Sequence, residues 1–297
     1  MKKLIVRIAE GLGNQLFMYS HAYALSKKLG YSLFLDDTSG YFKIKNKLRN
    51  YELDKFDISA SICDNSDKFD TYPKDFKRKI LKIFDLIKIE KSFYLEKTYK
   101  NKNTSFHNLD NCKFSNKLIT EGYFQSEKYF LNYSNDLKKE FIIKNDYLSN
   151  NNKYFDLLKK NNSVSICIRQ NRYSEGKIKD NKKSDKFTQN TINYIKRSVS
   201  FLKKKIDNPV FFIWSNDFQN LNEYFNEKEY IFVENKENKS LNDFNLFMYT
   251  KHFIVGPTPF HWWGAWLNNN SQKICLRPSD LNPSNNSDFW PQKWISI

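Results

Sequence analysis

Apolar and polar positions divide the chain into short runs and helical repeats. Residues 4–8 form a nearly continuous apolar run suited to a buried strand. The turn Glu10-Gly11-Leu12-Gly13-Asn14 follows, and then a helical repeat with apolar rows Leu16/Tyr19/Tyr23 and Ala22/Leu25/Leu29. Gly30 supplies a helix stop, and 32–35 is the next strand. Strand, glycine turn, helix and strand open an α/β lobe. From Asp37 to about Asn116 the pattern is mixed and yields one helix-like segment, 76–89. Beyond it, apolar runs at 164–168, 210–214, 230–233, 252–255 and 273–276 alternate with amphipathic segments, the signature of βαβ units and a parallel sheet. Ile192, Ile195, Val199 and Leu202 mark a crossover helix that Thr188 is placed to cap.

A chain of 297 residues accommodates two lobes of about 150 residues each. The Asn-rich stretches 149–152 and Asn161-Asn162 read as exposed turns between them. The boundary is therefore expected near residue 155, giving lobes 1–155 and 156–297. No repeat of about 20–50 residues is visible, so a solenoid is not expected.

Charge widens the list of partners before narrowing it. Forty-nine Lys plus Arg against 33 Asp plus Glu give +16, which suits nucleic acid, an anionic membrane surface, a phosphorylated substrate or simply a solvated lysine surface. The basic residues are scattered rather than gathered on a recognisable nucleic-acid motif, so nucleic acid is not expected as a partner. Cys63, Cys112, Cys167 and Cys275 lie far apart with no C-x-x-C pair, which fits reduced thiols in a cytoplasm. The first residues lack the apolar core of a signal peptide, so export is not expected. The weakly charged stretch 253–267 is interrupted by Pro257, Pro259 and His261 and falls short of the roughly 20 residues needed to span a bilayer.

In an open parallel sheet, ligands bind outside the carboxyl ends of the strands. The second-half runs end in polar groups: Arg169-Gln170-Asn171-Arg172, Ser215-Asn216-Asp217, Glu234-Asn235 and Gly256-Pro257-Thr258-Pro259-Phe260-His261. Guanidinium groups bind phosphate bidentately and a helix N-terminus, here near Pro259, offers N–H donors, so a diphosphate suits these loops. Asp217 suits ribose or guanine donors. Each loop taken singly is also an ordinary turn.

Other motifs exclude chemistry. Gly11-Leu12-Gly13-Asn14-Gln15-Leu16 has Leu16 where a dinucleotide loop has its third glycine, which disfavours nicotinamide. The alternatives for that loop are a strand-to-helix turn using glycine at positive φ, or a contact with an acceptor across a cleft. Phosphate-loop, H-E-x-x-H and G-x-S-x-G motifs are missing. Asp36-Asp37 reads as a turn rather than a metal site, and no metal is expected. Phe260, Trp262, Trp263 and Trp266 read mostly as core.

Four blocks, in order along the chain, resemble the bacterial α-1,2-fucosyltransferases of glycosyltransferase family 11. They are EGLGNQLFMYSHAYALSKKLG, RNYELDKFDI, EGYFQSEKYF and DFNLFMYTKHFIVGPTPFHWWGAWLN. The family's His-x-Arg-Arg-Gly-Asp-Tyr motif appears as Cys167-Ile168-Arg169-Gln170-Asn171-Arg172-Tyr173, keeping the first arginine and the tyrosine. Glu10 stands where the family has glycine, and His261 where it has serine.

The resemblance implies a GT-B-like fold of two Rossmann-type lobes with mostly parallel sheets and a cleft between them. It implies inverting, metal-independent transfer of fucose from GDP-fucose to the 2-hydroxyl of a galactose-terminated glycan, with no cofactor beyond the donor substrate. Arg169 inherits a contact to the β-phosphate of GDP. The donor set comprises Arg169, Ser215, Asn216, Asp217, Glu234, Asp243, Pro257, Thr258, Pro259 and Phe260. Gly11, Gly13, Asn14 and Gln15 fall on the acceptor side. Arg169, Arg172 and His261 are the catalytic candidates, the arginines for charge on the departing diphosphate. Glu10, Asp36 and His261 have the chemistry of a general base, and none is singled out. The implied acceptor is an oligosaccharide or lipid-linked surface glycan, and the implied location cytoplasmic, with room for peripheral contact at the inner face of the membrane. The nearest rival is a transferase of the same build with another sugar nucleotide or linkage. A basic nucleic-acid-binding protein is the rival of another class.

Overall fold

The computed structural model describes residues 1–44, 49–97, 105–108, 112–148, 153–174, 179–235 and 239–297. The chain divides into two compact units, Met1–Lys144 with Ser284–Phe289, and Asn145–Pro283 with Trp290–Ile297. The contacts divide the chain between 144 and 145, and the short helix Tyr154–Lys160 falls in the second unit. The stretch 149–152 lies outside the described residues, and Asn162 opens a strand instead of a turn.

The first unit carries β1 (Lys3–Arg7), α1 (Leu12–Leu29), β2 (Ser32–Asp36), β3 (Ser61–Ile62), α2 (Tyr72–Asp85), β4 (Glu90–Leu95), β5 (Lys113–Glu121) and α3 (Ser134–Glu140). Its sheet runs β3-β2-β1-β5-β4 and every pairing is parallel. β1 is therefore a switch point, with later strands added on its other side. α1 is buried on nearly all sides from Leu12 to Ser26, the polar Gln15, Ser20, His21 and Ser26 included. It ends as expected at Gly30, at φ 67°, where the Tyr31 N–H returns to the Ser26 carbonyl at 2.9 Å. Positive φ is not at the glycines of the preceding turn: Gly11 has φ −81°, and Glu10 holds φ 67° instead.

The second unit carries α4 (Tyr154–Lys160), β6 (Asn162–Ile168), α5 (Asn181–Lys203), β7 (Pro209–Ser215), β8 (Tyr230–Phe232), α6 (Lys239–Phe247), β9 (His252–Ile254), α7 (Pro259–Leu267), β10 (Cys275–Arg277) and β11 (Ile295–Ser296). The strands run β11-β10-β9-β6-β7-β8, again all parallel. Alternation along β6 turns Val164, Ile166 and Ile168 toward the Ile192/Ile195/Val199/Leu202 face of α5. Ser163 and Ser165 then belong to the opposite face. α5 begins seven residues before Thr188, with Asp180 accepting the Lys183 N–H at 2.9 Å. The expected Thr188 cap fails because the first two turns are polar and carry no apolar period. Trp262, Trp263 and Trp266 are core, as expected. Gly264 lets α7 meet α6, since a Cβ there would lie 2.5 Å from the Phe247 ring.

Candidate functional site

In the second unit the chain direction across the sheet reverses at β6. β7 and β8 extend one side, and β9, β10 and β11 the other. The carboxyl ends of β6 and β9 thus flank the crevice where such folds take ligands. They carry Arg169 to Arg172 and Gly256 to Phe260. Strand order is what unites two segments almost ninety residues apart.

The two segments touch. Arg172 donates to the Pro257 carbonyl at 3.1 Å, and its guanidinium lies 5.1 Å from the centre of the Phe187 ring. A Cβ on Gly256 would stand 2.3 Å from the Cys167 carbonyl oxygen, so only glycine permits the loop after β9 to pass this close to the end of β6. Thr258, in extended conformation, precedes α7 with Pro259 in its first turn. Its Oγ1 makes no capping bond and is buried without a hydrogen-bond partner. An unmatched hydroxyl at a helix N-terminus, one residue beyond the carbonyl that Arg172 binds, is an arrangement that suits an anionic oxygen.

The loops after β6 and β7 are joined by amide bonds. Asn216 Oδ1 accepts the Gln170 N–H at 2.8 Å, and Gln170 Nε2 donates to the carbonyls of Asp217 at 2.7 Å and Gln219 at 3.0 Å. Asn171 Nδ2 reaches Asp217 Oδ2 at 3.2 Å, and Ser215 Oγ donates to the Asp217 carbonyl. Ser215, Asn216 and Asp217 therefore spend polar groups on one another and on the Arg169–Arg172 loop. Asn171 takes φ 56°, the left-handed conformation that asparagine tolerates. Glu234 is exposed, while Asp243 is buried on α6 and accepts from Asn235 at 2.7 Å. Phe260 is half-buried between Phe244 and Phe247.

His261 is not placed for catalysis. The ring is fully buried, and burial pushes its pKa down to about 3, so it is neutral. Nδ1 accepts the Gly256 N–H at 3.2 Å, which leaves the proton on Nε2 for Ser165 Oγ at 2.6 Å. Both nitrogens are committed to protein groups.

The first unit shows the same logic at its own switch point, between β1 and β5. Asn14 Oδ1 accepts from Gln125 Nε2 at 2.6 Å, joining the turn after β1 to the segment after β5. Gln15 is fully buried: Nε2 donates to the carbonyls of Glu10 at 2.9 Å and Asn50 at 2.7 Å, and Oε1 accepts the Glu52 N–H at 2.9 Å. Of the four residues expected on the acceptor side, Gln15 is thus a buried staple whose amide is spent on backbone groups. Gly13 is buried, whereas Gly11 and Asn14 keep partial exposure. Gln125, whose block EGYFQSE resembles the family, is the residue that sequence reasoning left out of this group. The other base candidates are engaged: Asp36 Oδ1 accepts the Ser39 N–H at 2.9 Å, and Glu10 pairs with Arg49. Among the described residues, no group of three or more His, Cys, Asp or Glu is arranged to hold a metal ion, and no helix is long and apolar enough to cross a membrane.

Two α/β units, each with an all-parallel sheet, make up the GT-B-like fold class. The chain belongs to glycosyl transferase family 11, whose sequence pattern matches residues 3–297. It is 31% identical over 306 residues to an alpha-1,2-colitosyltransferase of Escherichia coli, covering 100% of this chain and 99% of that protein. It is 28% identical over 309 residues to the O-antigen biosynthesis glycosyltransferase WbnK of Escherichia coli, covering 98% and 99%. Among solved structures, fucosyltransferase NodZ from Bradyrhizobium shares the fold with TM-score 0.50 and 12% identity, over 89% of this chain and 91% of that one. A variant of Arabidopsis thaliana FUT1 in complex with GDP does so with TM-score 0.51 and 13% identity, over 99% and 76%.

Proposed function

We propose that the protein transfers fucose from GDP-fucose to the 2-hydroxyl of a terminal galactose in a bacterial surface glycan, with inversion and without a metal. The observation that carries this reading is the meeting of Arg172, Thr258 and the start of α7 at the β6/β9 switch point, directly after Arg169. As the bond from C1 to the diphosphate breaks, negative charge grows on the leaving oxygens. Arg169, Arg172, the Thr258 hydroxyl and N–H groups at the start of α7 stabilise it. The acceptor oxygen bonds to C1 and gives up its proton to a general base. Asp217, Glu234 and Asp243 position the nucleoside, and Gly11, Gly13 and Asn14 belong to the acceptor side. His261 holds the Gly256 loop against β6.

One second reading is favoured by a specific observation, the 31% identity with an alpha-1,2-colitosyltransferase. Colitose is fucose without its 3-hydroxyl. A pocket that hydrogen-bonds this hydroxyl rejects colitose strongly, and a pocket that packs against the bare carbon rejects fucose only weakly. Both readings share the linkage and the leaving group. The reaction sits downstream of enzymes that build a GDP-linked deoxysugar and before export of the finished glycan.

Purified protein incubated with GDP-fucose, GDP-colitose, GDP-mannose or UDP-galactose, with lactose or lacto-N-biose and with or without EDTA, tests both. An α-1,2 fucosyl product formed equally in EDTA is expected, together with a loss of about 100- to 1000-fold on Arg169→Ala at unchanged stability. Transfer from none of the GDP-deoxysugars, or full activity in Arg169→Ala, would overturn the proposal.

A further inference from the structure

α2 is built inside out. Its inward face is charged. Buried Asp75 accepts from Arg78 at 2.6 Å and pairs with Lys43. Arg78 and Lys82 donate to Glu121 at 2.6 and 2.8 Å, and Asp85 accepts the Ser92 N–H at 2.7 Å. This network, with Leu81 packed against the Ile5/Cys63/Phe93/Ile119 cluster, holds α2 in the first unit and leaves the helix's main apolar strip unused. Although burial acts to raise the Asp75 pKa, its bonds to Lys43 and Arg78 bring it down to about 2, so the network stays ionised.

The outward face is apolar. Phe76, Ile80, Ile83 and Phe84 occupy a sector of about 100° on the helix. They are 65%, 37%, 66% and 56% exposed, and the turn that follows adds Leu86, Ile87 and Ile89 at 74%, 83% and 84%. An apolar surface of this continuity is uncommon on a monomer and marks a contact. Lys77 and Lys79 flank the strip on its two shoulders, and Lys88 stands in the turn; all three are exposed. The segment 72–91 holds seven Lys or Arg against three Asp or Glu, and two of those carboxylates, Asp75 and Asp85, are turned inward.

We propose that α2 and its following turn dock in the interface of an anionic lipid bilayer. Phe76, Ile80, Ile83, Phe84 and Ile87 enter the boundary of the acyl chains, and Lys77, Lys79 and Lys88 meet lipid phosphates. An apolar strip between rows of lysine is the form of an interfacial helix. A second copy on this strip would set lysine against lysine. The inference does not depend on the donor or acceptor proposed above.

Flotation of the full chain with phosphatidylcholine vesicles, with and without phosphatidylglycerol, tests it. Cofloatation with the anionic vesicles, weakened by salt, is expected. The Ile83→Glu, Phe84→Glu, Ile87→Glu triple variant is expected to lose at least about tenfold in vesicle binding, with unchanged melting temperature and unchanged transfer to a soluble acceptor. No binding to the anionic vesicles, or equal binding by the triple variant, overturns the proposal. So does a concentration-dependent dimer in light scattering that the triple variant abolishes, which gives the face to a second copy.

Discussion

His261 Nε2 lies 2.6 Å from Ser165 Oγ while its Nδ1 accepts the Gly256 N–H, so one buried imidazole ties the loop after β9 to the face of β6. His261→Asn leaves at least one of these partners unmatched and is expected to destabilise the protein by about 2 kcal/mol near neutral pH. The pH dependence has a definite sign. Burial lowers the folded pKa to about 3, below the ordinary 6.5, so the contribution of the neutral ring is complete above 6.5 and is lost as pH falls toward 3. Urea midpoints of the two proteins should therefore converge on acidification, by at most about 1.4 kcal/mol per pH unit. A constant gap from pH 7 to 4 would show that the ring is not neutral in the fold.

Gly256→Ala places a methyl carbon 2.3 Å from the Cys167 carbonyl, against backbone that cannot give way as a side chain would. The loop must lift from β6, carrying Thr258 and the start of α7 with it. A stability loss of about 3 kcal/mol and a larger proportional loss of turnover are expected, and thermal melts alongside transfer assays separate the two. An alanine variant with wild-type melting and activity would show that the close approach is not required.

Glu10 and Asn171 form a matched pair in a different sense. Each stands where the family resemblance has glycine, and each keeps left-handed backbone, φ 67° and φ 56°. Asn171→Gly is expected to stay within about 0.5 kcal/mol and to remain active, because glycine relieves the strain while giving up one exposed bond to Asp217. Asn171→Val should cost about 2 kcal/mol and much of the activity, since a β-branched residue resists this φ. Equal behaviour of the two variants would mean that the turn is not held in this form.

What the chain reveals before folding follows from range. Fully buried parallel strands are continuous apolar runs, so β6, β7 and β9 were legible, as was α7 from its Pro259 start and tryptophan face. β5 was not, because KFSNKLITE is exposed and polar through its first half. That β9 pairs with β6 cannot be read locally, and this pairing brings the Arg169–Arg172 and Gly256–Phe260 loops together. His261 looked like chemistry because it sits in a polar loop; the aromatic packing of Phe247 and Phe253 around it, invisible in one dimension, makes it scaffold. The 76–89 period overlaps a helix that runs Tyr72–Asp85, with 86–89 in the turn beyond it, and periodicity does not say which face turns inward.

Gln15 is the clearest case of a polar side chain whose neighbours are remote in sequence. It bonds to Glu10, Asn50 and Glu52, and so joins the EGLGNQ and RNYELDKF blocks at the start of α1. Gln15→Leu removes the three bonds in a fully buried site, and about 3 kcal/mol of destabilisation is expected. Amide exchange at Glu52 should accelerate in the variant while the second unit is unaffected. Retained protection at Glu52 would place the anchor of this loop elsewhere.

Arg172 is this chain's own contribution, standing where the family resemblance has aspartate. Its guanidinium meets both the Pro257 carbonyl and the Phe187 ring, contacts suited to a planar cation that a lysine ammonium does not reproduce together. If it supplies charge to the diphosphate, Arg172→Ala should weaken GDP binding measured by calorimetry and lower kcat/KM by about 100-fold, with Arg172→Lys intermediate. If it only braces the loop, stability falls and the residual enzyme keeps its donor KM. The separation is decisive because the bracing contacts are to backbone and ring, whereas the catalytic contact is to an anion: raised ionic strength weakens the latter far more. Unchanged GDP affinity in Arg172→Ala would therefore leave Arg169 and the start of α7 to stabilise the leaving group alone.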